Sequence, residues 1–366
     1  MVHLKPIEYI GEISYSLYLA HWPIFVFFVY TFPEIVLDYK VKLILIFITF
    51  IFSILLYTFV EKPFRKNVFG VGRGGYVIVC QSFVILIVLI GASSFIGKGW
   101  IWRLPQELRD ANNINIDEMH AYTWENQKKY AVKNKFNLDG KKKILIIGDS
   151  QSADLINLLK ESGHDKQFDI VARTIYTECN IPYLSEPDKN EYYKKINNMT
   201  ISKPDIIPVC NEQINSVMNE KILFEQADRI FIAFNWNDFT VPYMDKSLDK
   251  VNEIASSNKK VWIFGRKDLS KSSIELFNIY NSKKYATLEN IDEFAAKFKK
   301  TQNSSIEKLL KSRESTTYID MYDLICKSKN ECSVLTEDKK IILYDSAHFS
   351  PDGAKFLGNR FYQMIK

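Results

Sequence analysis

The chain has 366 residues, enough for two or three folding units, and a formal net charge of only +5. Charges are balanced along the sequence, with 8 basic and 5 acidic side chains in residues 1–100 and 40 and 38 in the remainder. Because no basic stripe stands out, the composition argues against a protein that binds nucleic acid.

Three apolar segments occupy most of the first hundred residues. They span residues 15–32, 41–60 and 76–96, and each approaches the roughly 20 residues that a helix needs to cross a bilayer. The loop after the second segment carries four basic residues, Lys62, Arg65, Lys66 and Arg73. Since Lys and Arg are enriched in cytoplasmic loops, this loop is expected inside and the chain after Lys98 outside. The sequence therefore predicts a helical membrane segment with three spans.

Residues 98–140 are polar and show no regular periodicity, which predicts an irregular connector. Trp100 and Trp102 flank Arg103 just past the third segment. They fit either interface anchors or side chains packed against the domain that follows. Both interpretations remain open from the sequence.

A strand, a tight turn and a helix follow one another around Ser150. Residues 144–147 predict a buried strand, Gly148 and Asp149 interrupt it, and apolar residues recur at helical spacing over 155–159. Ser150 is thus expected at a helix N-terminus, where free N–H groups and the helix dipole favour negative charge. Its hydroxyl could attack an ester carbonyl, or the segment could simply cap an ordinary helix.

From residue 141 onward the pattern alternates between strands and helices. The predicted strands are 143–147, 168–174, 229–234, 260–264, 317–319 and 341–343, and the predicted helices include 247–257 and 289–312. Such alternation indicates an α/β domain with a doubly wound, mostly parallel sheet. Its active site is expected at the carboxyl ends of the strands.

Four of the five cysteines lie beyond residue 141, an even number, as disulfide pairing requires. Cys326 and Cys332 are close enough to close a small loop, and Cys179 would then pair with Cys210. Disulfides persist in oxidising surroundings, which fits an outer location. A zinc site is the alternative, but the sequence has no CxxC or histidine-rich spacing, so no metal is expected.

The segment before the last predicted helix contains Asp345 and His348, three residues apart. A nucleophilic serine needs a base that accepts its proton and a partner that orients the base. Asp345 and His348 on one loop would supply both. Ser350 and Pro351 then begin the last helix as its cap and first residue.

The Gly-Asp-Ser turn at Ser150, together with Asp345 and His348, resembles the SGNH, or GDSL-type, hydrolases and acyltransferases. The resemblance implies that Ser150 is the nucleophile, that His348 acts as base and then acid, and that Asp345 orients His348. It also implies an SGNH-type fold for residues 141–366.

The same resemblance implies an oxyanion hole built from the serine N–H, a glycine after the second strand and an asparagine after the third. Asn235 and Asn237 follow the third predicted strand, and Asn235 is preferred because it comes first. No glycine follows the second strand. The hole is therefore expected to have one donor fewer or to borrow another N–H group, and loss of one donor typically costs about a hundredfold in rate.

Residues 13–24 and 60–66 resemble late segments of the acyltransferase-3 membrane family, which moves acyl groups, usually acetyl, from a cytoplasmic thioester onto exported glycans. Some members carry a further span and a C-terminal SGNH domain, the order found here. The family's first helix holds an arginine-rich motif and an essential histidine, for which residues 1–100 have no counterpart. We therefore expect the C-terminal part of such a protein, from a truncated gene, a split gene or a fragment. His21 fits either function or helix packing.

These resemblances imply a partial acyltransferase-3 membrane region in residues 1–97, a connector in 98–140 and an SGNH domain in 141–366. The expected function is a membrane-anchored O-acyltransferase that passes an acyl group through Ser150 to a hydroxyl of a cell-surface polysaccharide or peptidoglycan. Acetyl-CoA is the expected ultimate donor, with no bound cofactor. The alternatives are a carbohydrate esterase or deacetylase and a non-catalytic glycan-binding domain that serves a membrane acyltransferase.

The expected location is the cell (inner or plasma) membrane, with the SGNH domain on the periplasmic or extracellular side. The expected partners are the glycan, the lipid bilayer and the missing N-terminal membrane helices of the acyltransferase-3 type. No nucleic acid is among them.

Overall fold

The structure is a computed structural model that describes residues 5–32, 35, 37–66, 73–103, 109, 114–199, 205–255, 261–282, 290–299, 303–311 and 313–366. The chain divides into two compact units, one covering residues 1–105 and the other covering most of residues 106–366. The first unit is helical where it is described, and the second combines helices with a parallel sheet.

The first unit contains helices α1 (Lys5–Thr31), α2 (Tyr39–Leu56), α3 (Lys62–Lys66) and α4 (Arg73–Ile96), and a π-helical turn, Tyr57–Glu61, joins α2 to α3. Two stretches, Glu8–Val29 and Tyr39–Arg65, are long and apolar enough to cross a membrane. The apolar stretch in α4, Gln81–Ile96, is shorter. Two of the three predicted spans are therefore matched in length and composition, and the third stays a prediction.

Polar side chains on these apolar helices are paired within the unit. Ser16 donates its hydroxyl hydrogen to Glu61 at 2.6 Å. Thr49 and Ser53 donate to carbonyl oxygens one turn earlier in α2, at 2.8 and 2.6 Å. The Nδ1 atom of His21 lies 2.6 Å from the carbonyl oxygen three residues earlier. Internal pairing of this kind is what a helix needs when no water is available.

The second unit is organised around a five-stranded sheet with the order β2-β1-β3-β4-β5. Its strands are β1 (Lys142–Gly148), β2 (Phe168–Thr174), β3 (Arg229–Ala233), β4 (Val261–Phe264) and β5 (Thr316–Ile319). Every neighbouring pair is parallel, which confirms the predicted sheet. Residues 144–147 are fully buried, as a continuous apolar run in a central parallel strand requires.

Helices cover both faces of this sheet. The helices described in the second unit are α5 (Ile116–Ala131), α6 (Ser150–Glu161), α7 (Glu186–Met199), α8 (Ile207–Asn219), α9 (Lys221–Gln226), α10 (Met244–Ala255), α11 (Ser273–Ser282), α12 (Ile291–Ala296), α13 (Asn303–Leu310), α14 (Tyr322–Ile325) and α15 (Pro351–Ile365). On one face, α15 places Phe361 against Phe264 of β4, with ring centroids 5.9 Å apart. On the other, Leu145 belongs to the core that includes Ile214 of α8 and Leu248 of α10. The sheet is therefore doubly wound.

Two predicted elements differ from the structure. The helix predicted over 289–312 is two shorter helices, α12 and α13. Residues 289, 300–302 and 312 of that prediction lie outside the described residues. Residues 256–257 of the helix predicted over 247–257 also lie outside them. The strand predicted over 341–343 does not join the sheet. Ile341 and Leu343 instead make isolated antiparallel bridges to Leu335 and Phe349. The apolar run is buried here because it closes a loop, not because it extends the sheet.

The predicted irregular connector contains a regular helix, α5. Its cap is Asn115, whose side chain accepts from the N–H of Asp117 at 3.1 Å. The helix packs against the rest of the second unit through polar side chains. Asn126 donates to Asn157 of α6 at 3.0 Å, and Thr123, also buried, lies 2.9 Å from the hydroxyl of Tyr344. An apolar stripe is absent from this contact, which is why a search for apolar periodicity does not find the helix.

The described residues include two disulfides, and these join the pairs expected from the sequence. Cys179–Cys210 ties the segment after β2 to α8. Cys326–Cys332 closes a short hairpin of β6 (Cys326–Ser328) and β7 (Glu331–Cys332). Both disulfides lie in the second unit. Cys179–Cys210 holds the segment that follows β2, the neighbour of β1 in the sheet.

Candidate active site

The turn between β1 and α6 presents Ser150 at the edge of the sheet. Gly148 has a φ of +157°, and a Cβ atom there would lie 1.8 Å from the carbonyl oxygen of Ala233 on β3, so only glycine fits. Asp149 caps α6 by accepting the N–H of Gln151 at 2.9 Å. Ser150 is the first residue of α6 and is partly exposed. Its own N–H is one of the groups at a helix start that have no partner within the helix.

Asp149 also connects this turn to the loop after β3. Its second carboxylate oxygen accepts the backbone N–H of Asn235 at 3.0 Å. Complete burial raises the pKa of Asp149, against the lowering effect of the hydrogen bonds from Asn235 and Gln151. Because both oxygens face backbone N–H groups, Asp149 holds two loops together and is not available to orient His348.

Ser150, His348 and Asp345 form one hydrogen-bonded chain. The Nε2 atom of His348 lies 2.7 Å from Oγ of Ser150, and Nδ1 lies 2.7 Å from Oδ2 of Asp345. The other oxygen of Asp345 accepts the N–H groups of Ala347 and His348, each at 2.7 Å. The loop is closed by the N–H of Tyr344, which donates to the carbonyl of His348 at 3.0 Å. The structure thus brings together three predicted site residues from opposite ends of the unit.

The charges of Asp345 and protonated His348 stabilise each other. Burial by itself would raise the pKa of Asp345, but the hydrogen bond and charge of His348 and two backbone N–H groups lower it to about 2. Burial by itself would lower the pKa of His348, but the bond to Asp345 and the negative charges of Asp154 and Asp345 outweigh it, so this pKa is raised. Asp345 is therefore ionised and suited to stabilise a protonated His348.

The two asparagines after β3 are placed differently. Asn235 is tied to the nucleophile turn through Asp149, and its Oδ1 atom is buried without a hydrogen-bond partner in the described residues. The backbone N–H of Asn237 donates to the side chain of Asn180 at 2.7 Å, and Asn237 directly precedes a 3-10 turn, Asp238–Tyr243. A single residue, Asp149, therefore links Asn235 to the turn that carries Ser150. The role of Asn235 as an oxyanion donor stays a prediction.

Asn180 is a residue that the sequence analysis missed. Its side chain bridges the segment after β2 to the loop after β3: it donates to the carbonyl of Asn235 at 2.8 Å and accepts from Asn237 and from Thr240 at 2.7 and 2.9 Å. Asn180 is fully buried and has a φ of +49°. Its position directly after Cys179 carries no motif that would have pointed to this role.

The first two N–H groups that follow β2 are already occupied. Ile175 donates to the carbonyl of Gly148 at 3.0 Å, and Tyr176 donates to the side chain of Gln213 at 2.9 Å. The position where the family resemblance places a glycine N–H therefore offers no free donor at either residue. Among the residues that the structure describes, no three His, Cys, Asp or Glu side chains cluster as a metal site would require.

The strand order places Ser150 and Asn235 where an α/β protein binds its ligands. The winding direction reverses between β1 and β3, and Ser150 and Asn235 follow those two strands. A parallel sheet with a Gly-Asp-Ser turn at its switch point and a histidine loop before the last helix defines an SGNH-type α/β domain. Residues 121–363, more than half of the chain, match the family model described as "SGNH domain (fused to AT3 domains)". The chain belongs to this family.

The chain is similar to a curated protein of Staphylococcus aureus (strain MRSA252) named "Putative O-acetyltransferase SAR0937", with 29% identity over 188 residues. The match covers 46% of this chain and 30% of that protein, so the chain spans about a third of the relative's length. Among solved structures, the periplasmic domain of a Salmonella ser. Paratyphi A lipopolysaccharide acetyltransferase matches with 17% identity and a TM-score of 0.46, over 65% of this chain and 87% of that domain.

Proposed function

We propose that the protein is a membrane-anchored O-acyltransferase that passes an acyl group, acetyl in the simplest case, through Ser150 to a hydroxyl of a cell-surface glycan. The observation that carries this proposal is the pair of 2.7 Å contacts that link Ser150 to His348 and His348 to Asp345. Membership of a family of SGNH domains fused to AT3 domains supports the choice of acyl transfer.

In the first half of the proposed reaction, His348 Nε2 accepts the proton of Ser150 as Oγ attacks the carbonyl carbon of the acyl donor. The tetrahedral intermediate collapses, the bond to the leaving group breaks, and His348 returns the proton to that group. In the second half, His348 accepts the proton of a glycan hydroxyl, which attacks the acyl-Ser150. The ester forms on the sugar, and His348 returns the proton to Ser150.

The remaining groups stabilise charge during these steps. Asp345 holds His348 by its Nδ1 atom and stays negative, which stabilises the histidine when it carries the proton. The N–H of Ser150 and the side chain of Asn235 are the proposed donors to the oxyanion. With the N–H groups of Ile175 and Tyr176 occupied, the proposed hole has two donors.

The proposed acyl supply is acetyl-CoA on the cytoplasmic side, delivered by membrane helices of the acyltransferase-3 type. Three spans would place the second unit on the periplasmic or extracellular side of the cell membrane, where polysaccharide or peptidoglycan is the acceptor. The two disulfides support this side, because disulfides persist in oxidising compartments.

The experiment that tests the proposal uses the full chain in detergent or native membranes. Wild type is expected to react with a fluorophosphonate probe at Ser150 and, given an acetyl donor with a glycan acceptor, to form the acetylated glycan. Ser162→Ala is a matched control, because Ser162 lies at the other end of α6 and its hydroxyl donates to carbonyl oxygens of that helix. Equal labelling of wild type and Ser150→Ala would contradict the proposal. Release of free acetate without glycan product would indicate an esterase instead.

A further inference from the structure

A buried ion pair lies in the core of the second unit, next to the proposed site. Lys267, in the loop after β4, is 1% exposed, and its Nζ atom lies 2.7 Å from Oδ2 of Asp154, which is fully buried. Asp154 belongs to α6 and follows Ser150 by one helical turn. Neither side chain accepts or donates a proton in the proposed reaction.

Stability alone is a weak reason for such a pair. Removing two charges from water costs several kcal/mol per ion in general, and a well-packed apolar pair of similar volume is often as stable or more stable. A buried ion pair therefore suggests a role in fixing the positions of particular groups, which apolar side chains would not fill.

The contacts of Lys267 show what it specifies. Its Nζ atom donates to the side-chain oxygen of Gln151, the residue directly after Ser150. The same atom lies 4.8 Å from the ring centroid of Phe349, the residue directly after His348. One ammonium group thus contacts the immediate neighbours of both the proposed nucleophile and the proposed base.

The residues beside Lys267 make the same kind of contact. The N–H of Leu269 donates to the carbonyl of Ser346, next to Asp345, at 2.8 Å. The guanidinium of Arg266 donates to the carbonyl of Trp236, next to Asn235, at 2.6 Å, and is held by two 2.6 Å bonds to Asp268. The loop 266–269 therefore contacts a neighbour of each residue in the proposed mechanism, on three converging loops: Ser150, Asn235, Asp345 and His348.

We propose that Lys267 is a positioning residue, which holds the turn of Ser150 and the loop of His348 at the separation that proton transfer requires. This inference rests on the proposed function and deepens it. A shift of about 1 Å between nucleophile and base can cost on the order of a hundredfold in rate. A side chain that links the two loops therefore has a large kinetic effect even though it touches no substrate.

The test separates positioning from simple stabilisation. Lys267→Met alone leaves Asp154 buried without its partner and is expected to lower thermal stability, so it is compared with the double variant Asp154→Leu/Lys267→Met, which removes both charges. The double variant is expected to unfold near the wild-type temperature but to react with the fluorophosphonate probe at least tenfold more slowly. Its kcat for a small acetyl ester should fall while KM changes little.

Recovery of both stability and labelling rate in the double variant would overturn the proposal, because a merely structural pair would be replaced without kinetic loss. If the double variant does not fold, Gln151→Met tests the same link with the ion pair intact. A several-fold slower labelling is expected, and an unchanged rate would overturn the proposal. Lys246→Met is the control lysine, since Lys246 is exposed and pairs with Asp188 at 3.0 Å.

Failure of the inference is distinguishable from failure of the proposed function. If wild type itself does not label at Ser150, the proposed function is contradicted. If wild type labels and the folded double variant labels at the same rate, only the role of Lys267 is contradicted, and Gln151→Met decides in the same way where the double variant does not fold.

Discussion

The carboxylate of Asp149 accepts the backbone N–H of Asn235 at 3.0 Å, although 86 residues separate them in the chain. This single contact joins the turn after β1 to the loop after β3, on the two sides of the switch point of the sheet. The other oxygen of Asp149 caps α6. The buried side chain of Asp149 therefore helps to fix the position of Ser150 relative to Asn235.

Asp149→Asn is expected to destabilise the protein by about 2 kcal/mol, because an amide nitrogen cannot accept one of the two N–H groups. The loss should appear as a lower midpoint of thermal unfolding of the full chain. Labelling of Ser150 should also slow, since both loops lose their common anchor. Asp139→Asn, at an exposed residue before β1, is the control. An unchanged midpoint in Asp149→Asn would contradict the anchor role.

Ser150→Ala and His348→Ala are each expected to abolish acyl transfer, because the first removes the nucleophile and the second removes the base. Asp345→Asn should be milder, since a misaligned base is still present. Release of p-nitrophenol from its acetate measures the acylation step for all three variants. Wild-type release by either alanine variant would rule out the proposed roles.

Asp345→Asn is also expected to change the pH profile. His348 must be neutral to accept the serine proton, so labelling should rise with pH through its raised pKa, above the ordinary value of 6.5. The charges of Asp154 and Asp345 raise this pKa and that of Lys267 lowers it, so loss of the Asp345 charge should move the midpoint to lower pH. Labelling rates between pH 5 and 9 measure the shift. A midpoint that stays in place or rises would contradict the pairing.

Asn235→Ala is expected to reduce turnover by about two orders of magnitude, as for a lost oxyanion donor, with folding intact. Asn237→Ala should have a much smaller effect, because the contact of Asn237 with Asn180 uses its backbone N–H, which alanine retains. Comparison of kcat for the two variants decides the assignment. If Asn237→Ala is the damaging change, the donor lies two residues further along the loop.

The two disulfides are expected to differ in their contribution to stability. Loop-closure entropy predicts a loss of about 3–4 kcal/mol for Cys179→Ser/Cys210→Ser and about 2 kcal/mol for Cys326→Ser/Cys332→Ser. The first also anchors the segment that presents Asn180, so it should slow Ser150 labelling as well. Thermal unfolding and Ser150 labelling are compared between the two double variants. Mass spectrometry of non-reduced wild-type peptides checks the pairing. An equal loss in both would contradict the loop-length argument.

The sequence by itself determined the elements that depend on local pattern. The buried run of residues 144–147 predicts β1 because a central parallel strand is apolar on both faces. The Gly-Asp-Ser turn and the three-residue spacing of Asp345 and His348 each reflect a short-range geometry that the structure retains.

Only the tertiary structure decided the rest, because the deciding contacts join residues far apart in the chain through polar side chains that follow no period. Helix α5 packs by hydrogen bonds of Thr123 and Asn126, so its sequence has no apolar stripe that would predict it. Asn180 and Lys267 are ordinary residues in the sequence, and each acquires its place only when separate loops converge at the edge of the sheet. Periodicity reports which face of an element is apolar, and it carries no information about which buried polar groups will meet.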